Sequence, residues 1–529
     1  MQRPASALLP EQAGEIARAA GTVIVAYVLS RLLGLAREVA ISQQFGTSGA
    51  LDAYLAAFRV PDLVFQLFAG GALASAFVPT FAGLLASGRE AEAWKLARDT
   101  IFLLLFAVGG LSALCAALAR PLVASVVAPG FDPARQKLAA SLMRVMLLSP
   151  AVFAVSGVFM GILNSCGRFL APALAPSAYN LCILLGALVL APSLGVYGLA
   201  LGAVCGAGLH YLVQLPDIWR VWQPYQARGR AARGLSPHLR EVGRLMLPRT
   251  LGLAAVQVNF LVNTVLASRL PAGSLAALNY AWMLMLLPQG VFAQGVATAV
   301  FPAFSGLAAR GELQDFSSLL QRALRGLLFL ALPSCLGLLV LREPIVSLLF
   351  ARRAFGPAAV QAVAWVLAFY AAGLWAHSAV EVVARAFYAL HDTRTPVAVG
   401  VAAMAGNIGL SLALMPALGV AGLALANSIA TWGELIALWQ LLRRRLPGLS
   451  AGGFLPWAAP TWAATAGMAA CLAAAQAFWP FSARTLGAAG LALGGLLYTS
   501  LAALLGAPEI QLGLSRLRAM RSGGRKGGA

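Results

Sequence analysis

Residues 21–45 read Gly21-Thr-Val-Ile-Val-Ala-Tyr-Val-Leu-Ser-Arg-Leu-Leu-Gly-Leu-Ala-Arg-Glu-Val-Ala-Ile-Ser-Gln-Gln-Phe45. At about 1.5 Å per residue a helix of this length spans about 37 Å, enough to cross a hydrocarbon core of about 30 Å. Arg31 and Arg37 therefore start inside the bilayer. A charge there costs about 2.5–3.5 kcal/mol on insertion scales, and a chain carries it when the charge faces a polar cavity and holds an anion. Two plainer readings stand beside that one. Arg31 snorkels to the headgroups, or Arg37 and Glu38 form a structural ion pair, with Glu38 seven residues from Arg31 on nearly the same stripe.

The rest of the chain agrees with a membrane setting. Of 529 residues 60% are hydrophobic and only 11% charged, too few charges to cover a soluble protein of this size. Long unbroken apolar runs exclude a β-barrel, which needs alternating segments of about ten residues. The expectation is an all-α polytopic membrane protein. The first twenty residues carry Arg3, Glu11, Glu15 and Arg18 and lack the pattern of a cleavable signal. Six scattered cysteines read as packing residues, and four dispersed histidines offer no metal cluster. Nothing resembles a P-loop, a GxSxG elbow or a GxGxxG turn, so the chain is read as a non-enzyme without a cofactor. The net charge of +20 clusters in alternate loops, such as Arg89/Lys95/Arg98 and Arg443/Arg444/Arg445. That pattern orients a membrane protein and touches anionic lipid headgroups; it does not point to nucleic acid.

Fourteen candidate helices follow, near 21–45, 55–87, 99–119, 139–163, 172–191, 196–219, 245–268, 274–307, 320–341, 358–389, 395–415, 420–442, 455–478 and 484–507. An even number puts both termini on one side, and the arginine-rich tail makes that side cytoplasmic. Ser30-Arg-Leu-Leu-Gly-Leu-Ala36 recurs as Pro248-Arg-Thr-Leu-Gly-Leu-Ala254, and Phe77-Val-Pro-Thr-Phe81 as Val300-Phe-Pro-Ala-Phe304. Arg120-Pro121 with Phe131 recurs as Glu343-Pro344 with Phe355, and Gly195-Val-Tyr-Gly-Leu-Ala-Leu201 as Gly419-Val-Ala-Gly-Leu-Ala-Leu425. Offsets of 218–224 across six helices predict two parallel six-helix halves, 21–219 and 245–445. Around them lie an N-terminal cytoplasmic segment 1–20, a basic linker 220–244, two appended helices 455–507 and a basic tail 508–529. Parallel repeats leave a cleft that opens to either face in turn, which favours an alternating-access transporter.

Three blocks carry a resemblance. They are Ser30-Arg-Leu-Leu-Gly-Leu-Ala-Arg37 followed by Asp52-Ala-Tyr, Ala57-Phe-Arg-Val-Pro61 and Ala76-Phe-Val-Pro79; Leu278-Asn-Tyr-Ala281 with Leu287-Pro-Gln-Gly-Val-Phe292; and Arg385-Ala-Phe-Tyr-Ala-Leu-His-Asp-Thr-Arg-Thr-Pro396. With these the chain resembles the MurJ (MviN) family of lipid II flippases in the MOP exporter superfamily. The resemblance implies transfer of undecaprenyl-pyrophosphate-linked disaccharide-pentapeptide from the cytoplasmic to the periplasmic leaflet of a bacterial inner membrane. It makes Arg31 and Arg37 the family's essential first-helix arginines and Asp52 its acidic residue after the first periplasmic loop. Planar bidentate guanidiniums suit a pyrophosphate. Asp52 reads equally as a helix cap or as a gating ion-pair partner. The family's charged positions in the second and eighth helices read Phe65, Gln66, Gly70, Met283 and Leu286 here. Arg59 and Arg249, the repeat copy of Arg31, are the candidate replacements. Asn259, Asn263 and Asn407 are candidates for a monovalent coupling cation, beside coupling to the membrane potential, though interhelical hydrogen bonding explains them too. The expected state is a monomer. The departures leave open an exporter of another polyprenyl-linked saccharide or a drug-type substrate, or a scaffold that transports nothing.

Overall fold

The computed structural model describes residues 10–68, 71–226, 235–449, 455–479 and 482–511, and the described elements are helices and their connections. In chain order they are α1 (Pro10–Phe45), α2 (Gly49–Phe68), α3 (Gly71–Ala86), α4 (Glu90–Ala117), α5 (Ala119–Leu122), α6 (Pro133–Met146), α7 (Ser149–Ser165), α8 (Leu170–Leu185), α9 (Ala191–Leu194) and α10 (Tyr197–Leu212). They continue as α11 (Leu215–Gln226), α12 (Leu239–Ser268), α13 (Ser274–Ala309), α14 (Leu313–Val340), α15 (Arg342–Phe350), α16 (Pro357–Ala389), α17 (Arg394–Leu418), α18 (Val420–Arg443), α19 (Leu455–Phe478) and α20 (Ala483–Leu504). One-turn π segments at Val123–Val127 and Gly186–Leu190 follow α5 and α8.

Among the described residues, eleven stretches are long and apolar enough to cross a membrane by length and composition. The chain is a multi-pass membrane protein. Three of the fourteen expected crossings fall outside those eleven. One is α1, which carries two arginines and a glutamate within its apolar stretch and begins at Pro10 rather than near residue 21. Another, 55–87, is divided between α2 and α3, and the third is α12.

The sequence repeat is written into the backbone. Gly195 and Gly419 share φ +57° with ψ −142° and −134°, a region open only to glycine. Gly88 and Gly311 have φ +71° and +72°, and the ends of α4 and α14 at Leu118 and Leu341 have φ −90° and −91°.

The chain packs as two compact units, Met1–Gly273 and Ser274–Ala529. In the first, α12 packs against α2 and α3, although its sequence resembles the start of the second half. The basic linker marks a change in loop charge, whereas the packing boundary falls at Gly273; residues 227–234 lie outside the described ones. The core of this unit is built around Phe77, Phe81, Leu96, Val158 and Ile162. In the second unit α16 packs on α13, α14 and α18 around Phe304, Phe316, Leu327 and Phe387. There α19 and α20 lie on α14 and α15, and the Tyr498 hydroxyl donates to the Phe329 carbonyl at 2.6 Å. The tail beyond residue 511 lies outside the described residues.

Glycine sets the closest approach in the first unit. A Cβ on Gly198 would sit 2.5 Å from the Ala191 backbone nitrogen, and one on Gly186 would sit 2.6 Å from the Gly198 carbonyl oxygen. Gly198→Ala is therefore expected to destabilise the unit by about 1–3 kcal/mol through overpacking. Gly208→Ala, with open space around it, is expected to leave the melting temperature unchanged or slightly raised. Thermal unfolding of the two purified variants checks the contrast. A second prediction concerns the α16–α17 connection. The Thr395 hydroxyl (2.6 Å) and amide (2.9 Å) donate to Asp392, as does Arg445 (2.6 Å), and together they hold its carboxyl down at about 2. A depressed carboxyl stabilises above its ordinary range and loses that contribution as pH falls through about 2. Asp392→Ala is expected to melt lower than wild type at pH 7, with the gap narrowing toward pH 2.

Candidate functional site

Arg37 is held by a neighbour that lies far away in sequence. α8 packs on α1 and brings Asn180 beside Gly34, where a Cβ would make ordinary contact at 3.7 Å with the amide nitrogen. That nitrogen donates to the Ser30 carbonyl at 3.2 Å, and its partner oxygen accepts from Arg37 Nη1 at 3.0 Å. The two bonds together fix which way the amide points. Arg37 Nη2 donates to Glu38 Oε1 at 2.5 Å, with the two side chains 25% and 13% exposed. Its buried Nε has no partner among the described residues. Tyr54 and Tyr179 lie within electrostatic reach of the guanidinium.

Arg31 differs. It is exposed, and its Nε and Nη2 donate to the Tyr27 hydroxyl at 3.0 and 2.6 Å, with the guanidinium 5.0 Å from that ring's centre. Ile24, Val25, Tyr27, Val28 and Leu32 around it are exposed too. The structure thus gives the two arginines separate surroundings: Arg37 sits in a protein network, and Arg31 on an open apolar face.

Arg59 on α2 reaches to α12. Its Nε donates to Thr264 Oγ1 at 3.0 Å, and its guanidinium lies 5.4 Å from the Phe260 ring. Asp62, a turn further on, is within its electrostatic reach. Asp52 is buried, and its Oδ2 accepts the Gly273 amide at 2.6 Å. Gly273 has φ +91°, and a Cβ there would meet the Thr47 carbonyl at 2.2 Å. That bond ties the start of α2 to the end of α12, while Ser48 Oγ accepts the Leu51 amide and so serves the α2 start itself. The Arg249 side chain lies outside the described residues.

The positions where the resemblance expects charges have mixed surroundings. Phe65 packs in the core with its ring 5.1 Å from Phe153, and Gln66 is half-buried on the same helix. Gly70 lies outside the described residues. Met283 is half-buried on α13, and Leu286 is exposed. Asn259 and Asn263 lie on α12, in the first unit, whereas Asn407 is buried on α17, in the second. The buried Asn263 Oδ1 has no partner among the described residues. His377 bonds Asn427 at 3.0 Å and Thr431 at 3.2 Å. Further along α16, Glu381 pairs with Arg385 at 3.9 Å.

Sequence reasoning missed Asn180, Thr264 and Asp62. The available signal for Asn180 was a lone amide inside the apolar run 172–191, the kind of residue that hydrogen-bonds between membrane helices.

Comparison with known proteins now bears on this arrangement. The sequence pattern of the family described as "Lipid II flippase MurJ" matches residues 41–488. The chain belongs to the MurJ family of lipid II flippases. A probable lipid II flippase MurJ of Rhizobium meliloti (strain 1021) is 35% identical over 78% of each chain. One of Bdellovibrio bacteriovorus is 31% identical over 96% of this chain and 98% of its own. The fold is similar to a solved lipid II flippase MurJ in an inward closed conformation, with TM-score 0.78 and 24% identity over 92% and 99% of the two chains. It is also similar to an inward-facing multidrug resistance MATE transporter of the MOP superfamily, with TM-score 0.67 and 16% identity over 79% and 95%. MurJ is a transporter family, not an enzyme family.

Removing the acceptor from a buried guanidinium leaves its donor unsatisfied, at about 1–3 kcal/mol. Asn180→Ala is therefore expected to lower the melting temperature and weaken the Arg37 site. Asn180→Asp, which keeps an acceptor for Arg37 and loses the donor to Ser30, is expected to retain more of both. Melting curves and lipid retention of the two variants check this order.

Proposed function

We propose that this chain moves lipid II from the cytoplasmic to the periplasmic leaflet of a bacterial inner membrane by alternating access. Both termini are cytoplasmic in this reading, and the protein acts as a monomer. Arg31, Arg37 and Arg59 bind the pyrophosphate, and Arg249, the repeat copy of Arg31, adds a fourth guanidinium. The observation that carries the reading is the family match over 41–488, in a chain that keeps both first-helix arginines. The physics supports it: a pyrophosphate recovers for a membrane-embedded guanidinium the ion pairing that water would otherwise supply. Inward- and outward-facing MATE transporters of the same superfamily support alternating access. The half-buried Asn263, with an unengaged buried oxygen, supports cation coupling on α12 with Asn259, and the membrane potential is the other drive. Anionic lipids contact the basic loops.

One observation favours a second reading. Phe65 and Met283 place apolar side chains where the family carries arginines, which suits a related polyprenyl-linked saccharide with different headgroup chemistry. Rescue of a bacterium depleted of its lipid II flippase tests the first reading. Wild type is expected to restore growth, and Arg31→Ala and Arg37→Ala to fail at normal protein level. Rescue by both variants would remove the arginines from the site. Failure of wild type with normal expression would favour the other saccharide.

A further inference from the structure

The second unit holds a cavity of about 390 Å³ at the end where α15 stops and α16 and α20 begin. Arg352, Arg353 and Arg484 line it with Ser347, Gln361 and Glu343. The three guanidiniums have no carboxylate within 4 Å among the described residues; Arg484 donates to the Ala351 carbonyl. Ser347 is 8% exposed, and its hydroxyl has no hydrogen-bond partner among the described residues although it faces this space. Three arginines against one glutamate leave the lining two positive charges in excess.

The internal repeat shows that the cluster is not required by the fold. Phe131-Asp132-Pro133 in the first copy corresponds to Phe355-Gly356-Pro357 in the second, which aligns Arg352 and Arg353 with Ala128 and Pro129. In the first copy Asp132 caps α6 by accepting the Arg135 amide at 2.9 Å and pairs with the Arg135 guanidinium. That connection is filled by chain: a Cβ on Gly130 would lie 2.6 Å from the Arg269 Cα. In the second copy Gly356 offers α16 no side-chain cap, so the positive end of a long helix faces the same region as the arginines. Arg353 holds φ +48°, a costly conformation for a residue with a side chain. Arg484 arrives because α20 docks tightly, with Gly487 so close that a Cβ would sit 2.4 Å from the Pro344 carbonyl.

We propose that this cavity binds a phosphate group, carried by an anionic lipid headgroup or free in solution, through Arg352, Arg353, Arg484 and Ser347. The forked guanidiniums match phosphate oxygens. The volume lies within the range of small-molecule sites, about 300–1,000 Å³, and exceeds what a bare ion needs, so it accepts a phosphate with a small organic group attached. The site stands apart from Arg31 and Arg37, which belong to the other unit, and does not depend on the transported substrate.

The test uses the purified full-length protein. Native mass spectrometry measures retention of phosphatidylglycerol against phosphatidylcholine. Melting curves in sodium phosphate against sodium chloride at matched ionic strength measure free phosphate. The variants are R352A/R353A and, independently, R484A. R352A/R353A changes only exposed loop side chains and is expected to melt like wild type in chloride, so it stands if R484A fails to fold. Selective retention of phosphatidylglycerol by wild type, reduced about tenfold in the variants, assigns a lipid headgroup. Stabilisation of wild type by phosphate, lost in the variants, assigns free phosphate. If wild type and R352A/R353A behave alike in both measurements, the proposal is overturned.

Discussion

A guanidinium packed among apolar helices must find acceptors, and two in the first unit find them on neighbouring helices. Arg37 on α1 obtains them from Asn180 and Glu38, and Arg59 on α2 obtains one from Thr264 on α12. Each bond also joins helices or fixes a rotamer, so these charges help specify packing. Arg31 is the exception. Among the described residues its side-chain partner is a tyrosine one turn away on the same exposed face, which leaves its guanidinium open on its outer side.

Small residues make close contacts possible. Gly186 and Gly198 bring α8 and α10 together, and Gly273 lets the α12–α13 connection meet both Asp52 and Thr47. Membrane helices gain little from burying apolar surface against one another, because lipid is equally apolar. Close backbone approach and polar contacts carry correspondingly more of the specificity, and the positions where glycine is unavoidable mark where the elements lock.

Much of this was legible in the residues themselves. Arginines in an apolar run and turn glycines at a constant offset are local signals; the structure gives Arg37 a polar network and gives Gly195 and Gly419 matched backbone angles. Three things were not legible, each because it arises from tertiary packing. Asn180 is one uncharged amide among apolar neighbours until α8 lies on α1. α12 groups with the first unit through its packing against α2 and α3, while its sequence resembles the start of the second half. Arg352 and Arg353 read as ordinary loop charges until α20 delivers Arg484 to the same cavity.

The role proposed for Arg31 and Arg37 is to move a lipid-linked pyrophosphate across the membrane. Proteoliposomes carrying lipid II test it directly, by the fraction of lipid II accessible to an externally added hydrolase. Wild-type protein is expected to make inner-leaflet lipid II accessible over time, whereas Arg37→Ala liposomes are expected to stay at the outer-leaflet fraction. Equal accessibility in wild-type and protein-free liposomes would contradict the account.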